Sequence, residues 1–185
     1  MQSFHPRNKS GVSLACVAEN TALSTATGDM PARSVPPGMQ LSSDAVSPGT
    51  VLRTCRFRAD ADLLEAHPEL KPLRIKAGSV ARLQPCADLV LAQAHALPLA
   101  QEMARQNGGQ APVLEGIFPE PTDRTLDFVA VLLIESDKIV LNNLPTPTFA
   151  PSAATLDALF GLGGYDPKPR RWLRPTTPRD QGRRL

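Results

Sequence analysis

Apolar and polar positions alternate with a clear period only from Val51 onward. Arg53, Cys55 and Phe57 interleave with Leu52, Thr54, Arg56 and Arg58, a period of two that predicts a strand with one more polar face. Asp62-Leu63-Leu64-Glu65 has the spacing of a capping box, which predicts a short helix ending near Pro68. Leu73-Arg74-Ile75-Lys76 alternates again before Gly78 and predicts a second strand. The longest helical pattern runs from Cys86 to Gln106. Pro85 precedes it, Leu89, Val90, Leu97 and Met103 recur near helical spacing, and Gly108-Gly109 supplies a left-handed stop. Pro98 inside that pattern removes one helical hydrogen bond and predicts a kink or two shorter helices meeting near Leu97.

Further on, Val113 to Phe118 reads as a strand closed by Pro119 and Pro121. Phe128 to Ile134 is apolar on both faces, as a covered central strand requires. Ser136-Asp137 predicts a turn into Ile139-Val140-Leu141, making a hairpin whose second strand, Ile139 to Leu144, lies at a sheet edge. Pro145, Pro147 and Pro151 argue against further strand, and Ser152 opens a last helix bearing Leu156, Leu159 and Phe160 before Gly163-Gly164. The fold class this predicts is α+β: a small antiparallel sheet of three to five strands with helices packed on one face, flanked by disordered N- and C-terminal segments. The chain shows no internal repeat, and such strands are too few for a propeller or a doubly wound sheet.

Composition sharpens the boundaries. A length of 185 residues suits one core. Residues 1–50 mix Ser, Thr, Ala, Gly and Pro without a period of 2 or 3.6, so they are expected to stay disordered. Residues 51–165 are then the single α+β domain, and 166–185 a basic tail rich in Pro and Arg. Charge follows the same division: the net +2 conceals a tail holding seven basic and two acidic residues beside a mildly acidic body. Only five of the 20 basic residues are lysines, a bias that points to a GC-rich, bacterial genome.

Three cysteines, Cys16, Cys55 and Cys86, are an odd number without short pairing, which favours a reducing, cytoplasmic setting over a disulfide framework. Glu19 and Asn20 interrupt the stretch after Arg7 and Lys9, so no signal peptide is expected. The longest apolar run is far short of the ~20 residues a membrane helix needs.

Candidate chemistry is sparse. Cys55 or Cys86 can act as a nucleophile if His67 or His95 stands beside it as base, although a free cysteine is commonly just a small buried hydrophobe. Asp88, His95 and Glu102 share a helical stripe, but each seven-residue step rises about 10.5 Å, too far to meet on one metal. No cofactor is expected. Asp60 and Asp62 suit helix capping, Asp123 and Asp127 the solubility of a strand edge. Gly161, Gly163 and Gly164 follow a helix, whereas a phosphate loop must precede one.

The tail sequence Arg170-Arg171-Trp172-Leu173-Arg174 sets arginines around the lone tryptophan, so Arg170, Arg171, Trp172 and Arg174 form a candidate nucleic-acid contact. The alternative is that Trp172 and Leu173 anchor the tail on the domain. No motif names a family. The function expected is a non-enzymatic, accessory protein that recognises a protein partner through a sheet edge or helix groove. A nucleic-acid-associated protein using the tail, helped by Arg53, Arg56 and Arg58, is the alternative, and an enzyme with a Cys/His site the third.

Overall fold

A computed structural model describes residues 11–42, 49–81, 83–106, 108, 116–121, 125–134 and 136–161. Among these the chain supplies eleven strands: β1 (Val12–Ala18), β2 (Ala22–Thr25), β3 (Gly28–Pro31), β4 (Gln40–Leu41), β5 (Gly49–Ala59), β6 (Pro72–Ile75), β7 (Leu89–Ala92), β8 (Ile117–Pro119), β9 (Leu126–Ile134), β10 (Lys138–Leu141) and β11 (Leu144–Pro147). Ten of them follow one path, β11-β10-β2-β4-β5-β9-β1-β7-β6-β8, and β3 pairs with β2 beside it. Every pairing is antiparallel, and the sheet curls as a half-barrel. The helices α1 (Ala61–Ala66), α2 (Ala96–Gln106) and α3 (Ala153–Phe160) are short. None is long and apolar enough to cross a membrane.

The longest strands meet at the centre. β9 carries the apolar run Phe128 to Ile134 and lies between β1 and β5, registered Cys16 to Ala130 on one side and Cys55 to Ala130 on the other. Both of its faces are therefore covered. Because successive side chains point to opposite faces, Ala15, Val17, Val129, Val131 and Leu133 pack on one side with Leu23, Leu41, Ile75, Leu91, Leu141 and Leu99 of α2. Leu14, Cys16, Phe128, Ala130 and Leu132 pack on the other with Leu64 of α1, Leu70, and Leu156 and Leu159 of α3. Fully burying one such leucine contributes about 2 kcal/mol from apolar area alone, so the two layers are what hold the curled sheet together.

The α+β expectation is overturned: the described residues form a mostly β fold, with far more than three to five strands and helices on both layers. The expected disordered N-terminal segment supplies β1 to β4, and β1 is a central strand. Its short strands are linked by tight turns at Glu19-Asn20 and Ala26-Thr27, too brief to show as long periodic runs. The C-terminal segment, with Arg170, Arg171, Trp172 and Arg174, lies outside the described residues, as do Asp123, Gly163 and Gly164.

Local corrections have physical causes. The helical pattern from Cys86 contains a strand, because Leu89 to Ala92 pairs with β6 and adds β7 to the sheet. Two short helical segments, the turn Gln93–His95 and α2 from Ala96, do meet next to Leu97, and Pro98 falls in the first turn of α2, where backbone N–H groups have no helical acceptor. The cap of α1 is Asp60, whose carboxylate accepts from the Leu63 N–H at 3.0 Å, rather than Asp62. Pro145 and Pro147 do lie in a strand. β11 ends the sheet, and an edge strand tolerates the missing donors.

The expected hairpin is displaced as well. β9 and β10 do not pair; β10 lies between β11 and β2 and is interior. Its hairpin partner is β11, joined through Asn142 and Asn143, whose positive φ values of 45° and 65° fit the two-residue turn that asparagine tolerates.

Candidate active site

Cys16 sits near the end of β1, and its side chain belongs to the layer under α1 and α3. Both Cys16 and His95 are completely buried. His95 closes a short turn, Gln93–His95, that carries the chain from β7 into α2. Since β7 is the neighbour of β1, this turn delivers the imidazole beside the β1 backbone. The Cys16 N–H donates to His95 Nε2 at 3.2 Å. On the other side of the ring, Nδ1 lies 2.8 Å from the Pro147 carbonyl oxygen. A carbonyl can only accept, so Nδ1 carries the proton and Nε2 presents its lone pair to the amide.

The ring is held in place on its face too. Phe149 packs edge-on against it at 5.0 Å between centroids. Leu14 and Phe149 exchange main-chain hydrogen bonds of 2.8 and 3.1 Å, which fastens the segment after β11 to β1 just before the cysteine. Strand alternation then turns the Ala15 carbonyl the opposite way, toward β9, where Val131 is its register partner.

Burial sets the protonation states. It lowers the His95 pKa from 6.5 to about 4 against the opposing pull of the Pro147 carbonyl, so the ring is neutral near pH 7. Burial likewise pushes the Cys16 thiol well above its ordinary value, with Cys55 and Glu69 nearby adding to the rise. The resting site is an uncharged thiol beside an uncharged imidazole.

The sequence singled out Cys55 and Cys86 with His67 and His95. Of these, His95 joins a cysteine, but the cysteine is Cys16. Cys55 lies two strands from Cys16 on the same sheet face, separated by Ala130. Two strand spacings of about 4.8 Å put their Cα atoms beyond the roughly 7 Å that a disulfide can span. Cys86 is exposed, and its N–H donates to the Asn142 carbonyl. His67 is half-buried beside Glu69 in the turn after α1.

The three residues weighed as a metal set are dispersed: Asp88 accepts from Arg74 and the Ala77 N–H, Glu102 pairs with Lys138 and Arg105, and His95 faces Cys16. No group of three metal-binding side chains occurs among the described residues. Arg56 donates to the Arg33 carbonyl and Arg58 pairs with Asp127, so two of the three arginines on β5 are engaged within the chain.

What defines this molecule is a curled antiparallel β domain whose central strand presents a Cys main-chain amide to a buried histidine. The family pattern of the Hint domain matches residues 15–153, about three quarters of the chain, and the protein belongs to that family. No curated protein matches it. The matched region opens at Ala15, so the Ala15–Cys16 peptide lies at its very start. The run Val12 to Val17, followed after four residues by the alternation of Ala22 to Thr25, was the available signal for this site.

Proposed function

We propose that this chain rearranges its own backbone at the Ala15–Cys16 peptide bond, forming a thioester that an external nucleophile then cleaves. The observation that carries this reading is the hydrogen bond from the Cys16 amide to His95 Nε2 in a dry, fully buried setting. Here the amide that the ring holds is the leaving group for the thiol of the same residue.

The chemistry balances without a co-reactant. Cys16 Sγ attacks the Ala15 carbonyl carbon through a five-membered ring of sulfur, Cβ, Cα, nitrogen and carbonyl carbon. The S–C bond forms, the C–N bond breaks, and the thiol proton passes to the nitrogen by way of His95. Holding the attacking group within the same residue replaces a bimolecular encounter. A ring whose burial leaves it a pKa of about 4 is a strong acid once it has accepted the thiol proton, suited to protonating a departing amide nitrogen. Alternation places the Val131 N–H of β9 on the side of the Ala15 carbonyl, where charge develops. The product is residues 1–15 joined through Ala15 to Cys16 Sγ.

The reading as a non-enzymatic recognition domain rested on the lack of converging polar groups and on a sheet edge at Ile139 to Leu144. Cys16 and His95 converge, and β10 is interior. The test uses the purified full chain with dithiothreitol, which captures thioesters, followed by intact-mass measurement. Cleavage between Ala15 and Cys16 is expected. Cys16→Ala should abolish it, and His95→Ala should slow it by roughly 100-fold or more, with circular dichroism confirming that each variant is folded. A wild-type chain left intact by dithiothreitol, or a Cys16→Ala chain cut at the same bond, would overturn the proposal.

A further inference from the structure

Resting on the thioester reading above, we propose that His67, oriented by Glu69, is the general base that activates a water molecule to hydrolyse the Cys16 thioester, so that the domain releases residues 1–15 as a free acid. His67 and Glu69 occupy the turn Pro68–Leu70 and the residue before it. This turn packs against the turn that carries His95. It is fastened there by the Gln93 N–H donating to the Lys71 carbonyl at 2.8 Å, and Leu70 is buried in the same layer as Cys16. The pair therefore stands beside the candidate site, at its wetter margin: the His67 side chain is 14% exposed and that of Glu69 36%. His95, by comparison, has no exposure.

The pair is arranged as a base and its orienting carboxylate. Glu69 Oε1 accepts from the Thr155 hydroxyl at 2.6 Å and lies 3.3 Å from His67 Nδ1. Burial alone would raise the Glu69 pKa, but hydrogen bonds from Thr155, its own backbone and His67 hold it below the ordinary carboxylate value. An ionised carboxylate only accepts, so Nδ1 donates to Glu69, and Nε2 is the ring nitrogen left to take a proton. Thr155, fixed at the start of α3 by Ser152, keeps the carboxylate from swinging away.

The step is an ordinary hydrolysis. Water oxygen bonds to the Ala15 carbonyl carbon, His67 Nε2 takes the water proton, the C–S bond breaks, and the proton returns to the Cys16 sulfur. His95 is fully buried and its Nε2 is occupied by the Cys16 nitrogen, so water reaches the thioester from the His67 side. His67 makes no contribution to thioester formation. The two steps therefore depend on different histidines, and an added thiol bypasses the second.

The experiment follows full-length wild type, His67→Ala and Glu69→Gln by intact mass, with and without dithiothreitol. Dithiothreitol cleavage should be the same in wild type and His67→Ala, and no slower in Glu69→Gln, which removes a charge that raises the Cys16 thiol pKa. Without thiol, release of residues 1–15 should slow by roughly 100-fold in His67→Ala and to a lesser degree in Glu69→Gln, and added imidazole should restore part of the His67→Ala rate. Equal hydrolysis in wild type and His67→Ala would overturn the proposal, as would parallel loss of both channels, which marks a structural role. A wild type inert to dithiothreitol would overturn the Cys16–His95 reading at the first step and this one with it.

Discussion

The two faces of the central strands differ in kind although the same three strands build both. On one face Ala15, Val17, Val129, Val131 and Leu133 join one apolar cluster, closed over by α2. One residue out of phase, the opposite face carries Cys16 and Cys55, and beside it stand His95, His67, Glu69 and Thr155. A strand period of two lets each residue step choose between packing and chemistry. The first face is a pure transfer of apolar area from water. The second gives up some of that to hold an uncharged thiol and imidazole, and it is covered by short helices whose turns bring polar groups to its margin.

The largest effect that sharpens this contrast is expected at Leu133. It is fully buried on the apolar face, registered with Ser13 and Val51. Leu133→Ala leaves a cavity and should lower stability by about 2–5 kcal/mol in urea unfolding. Neither Cys16 nor His95 shares that face, so the fraction that remains folded should still be cut by dithiothreitol at the wild-type rate. A folded Leu133→Ala protein that no longer cleaves would show that the two faces are not separable.

The next effect belongs to the chemical face and is read through pH. His95 has a folded pKa of about 4 against an ordinary 6.5, so between these values the unfolded chain binds a proton that the folded chain does not. Stability from burying the neutral ring is full above pH 6.5 and is lost as pH falls toward 4, on the order of 3 kcal/mol across that window. Glu69, whose folded pKa is lowered, loses its contribution in the same direction but further into acid. Urea midpoints measured from pH 7 to 4 should therefore fall, and His95→Gln should flatten the part between 6.5 and 4. An unchanged slope in His95→Gln would mean that the ring is hydrated.

How far sequence reaches differs between the same two regions. β5 and the core of β9 were legible because their alternation or apolar run is long enough to show a period. β1 to β4 were not, since strands of two to seven residues separated by tight turns resemble an unpatterned, Ser- and Thr-rich stretch. Leu89 to Ala92 was absorbed into a helix because four apolar residues fit either period until β6 is there to pair with them. Of the candidate site the sequence offered His95 as a base for Cys55 or Cys86 but read it as a surface residue, whereas it is fully buried. Its partner was missed because Cys16 lies 79 positions away in a segment read as unfolded, and the β1–β7 pairing that joins them is a non-local fact.

The smallest effect tests whether the margin of the chemical face acts through position alone. Ser152 caps α3, its Oγ accepting from the Thr155 N–H at 3.0 Å and lying 2.7 Å from the Thr155 hydroxyl oxygen. Thr155 spends its own proton on Glu69, so Ser152 is the donor in that second contact. Ser152→Ala should cost about 1 kcal/mol in urea unfolding, the usual value of a lost cap. Because Thr155 then loses one of the two partners that orient it, Glu69 is held less firmly, and thiol-independent release of residues 1–15 should slow a few-fold while dithiothreitol cleavage stays constant. Ser152→Asn restores a capping oxygen and should recover the stability and the hydrolysis rate together. If it recovers stability alone, the Ser152 hydroxyl proton itself matters to the Thr155–Glu69–His67 chain, and the helix cap and the hydrogen-bond relay are separate roles of one residue.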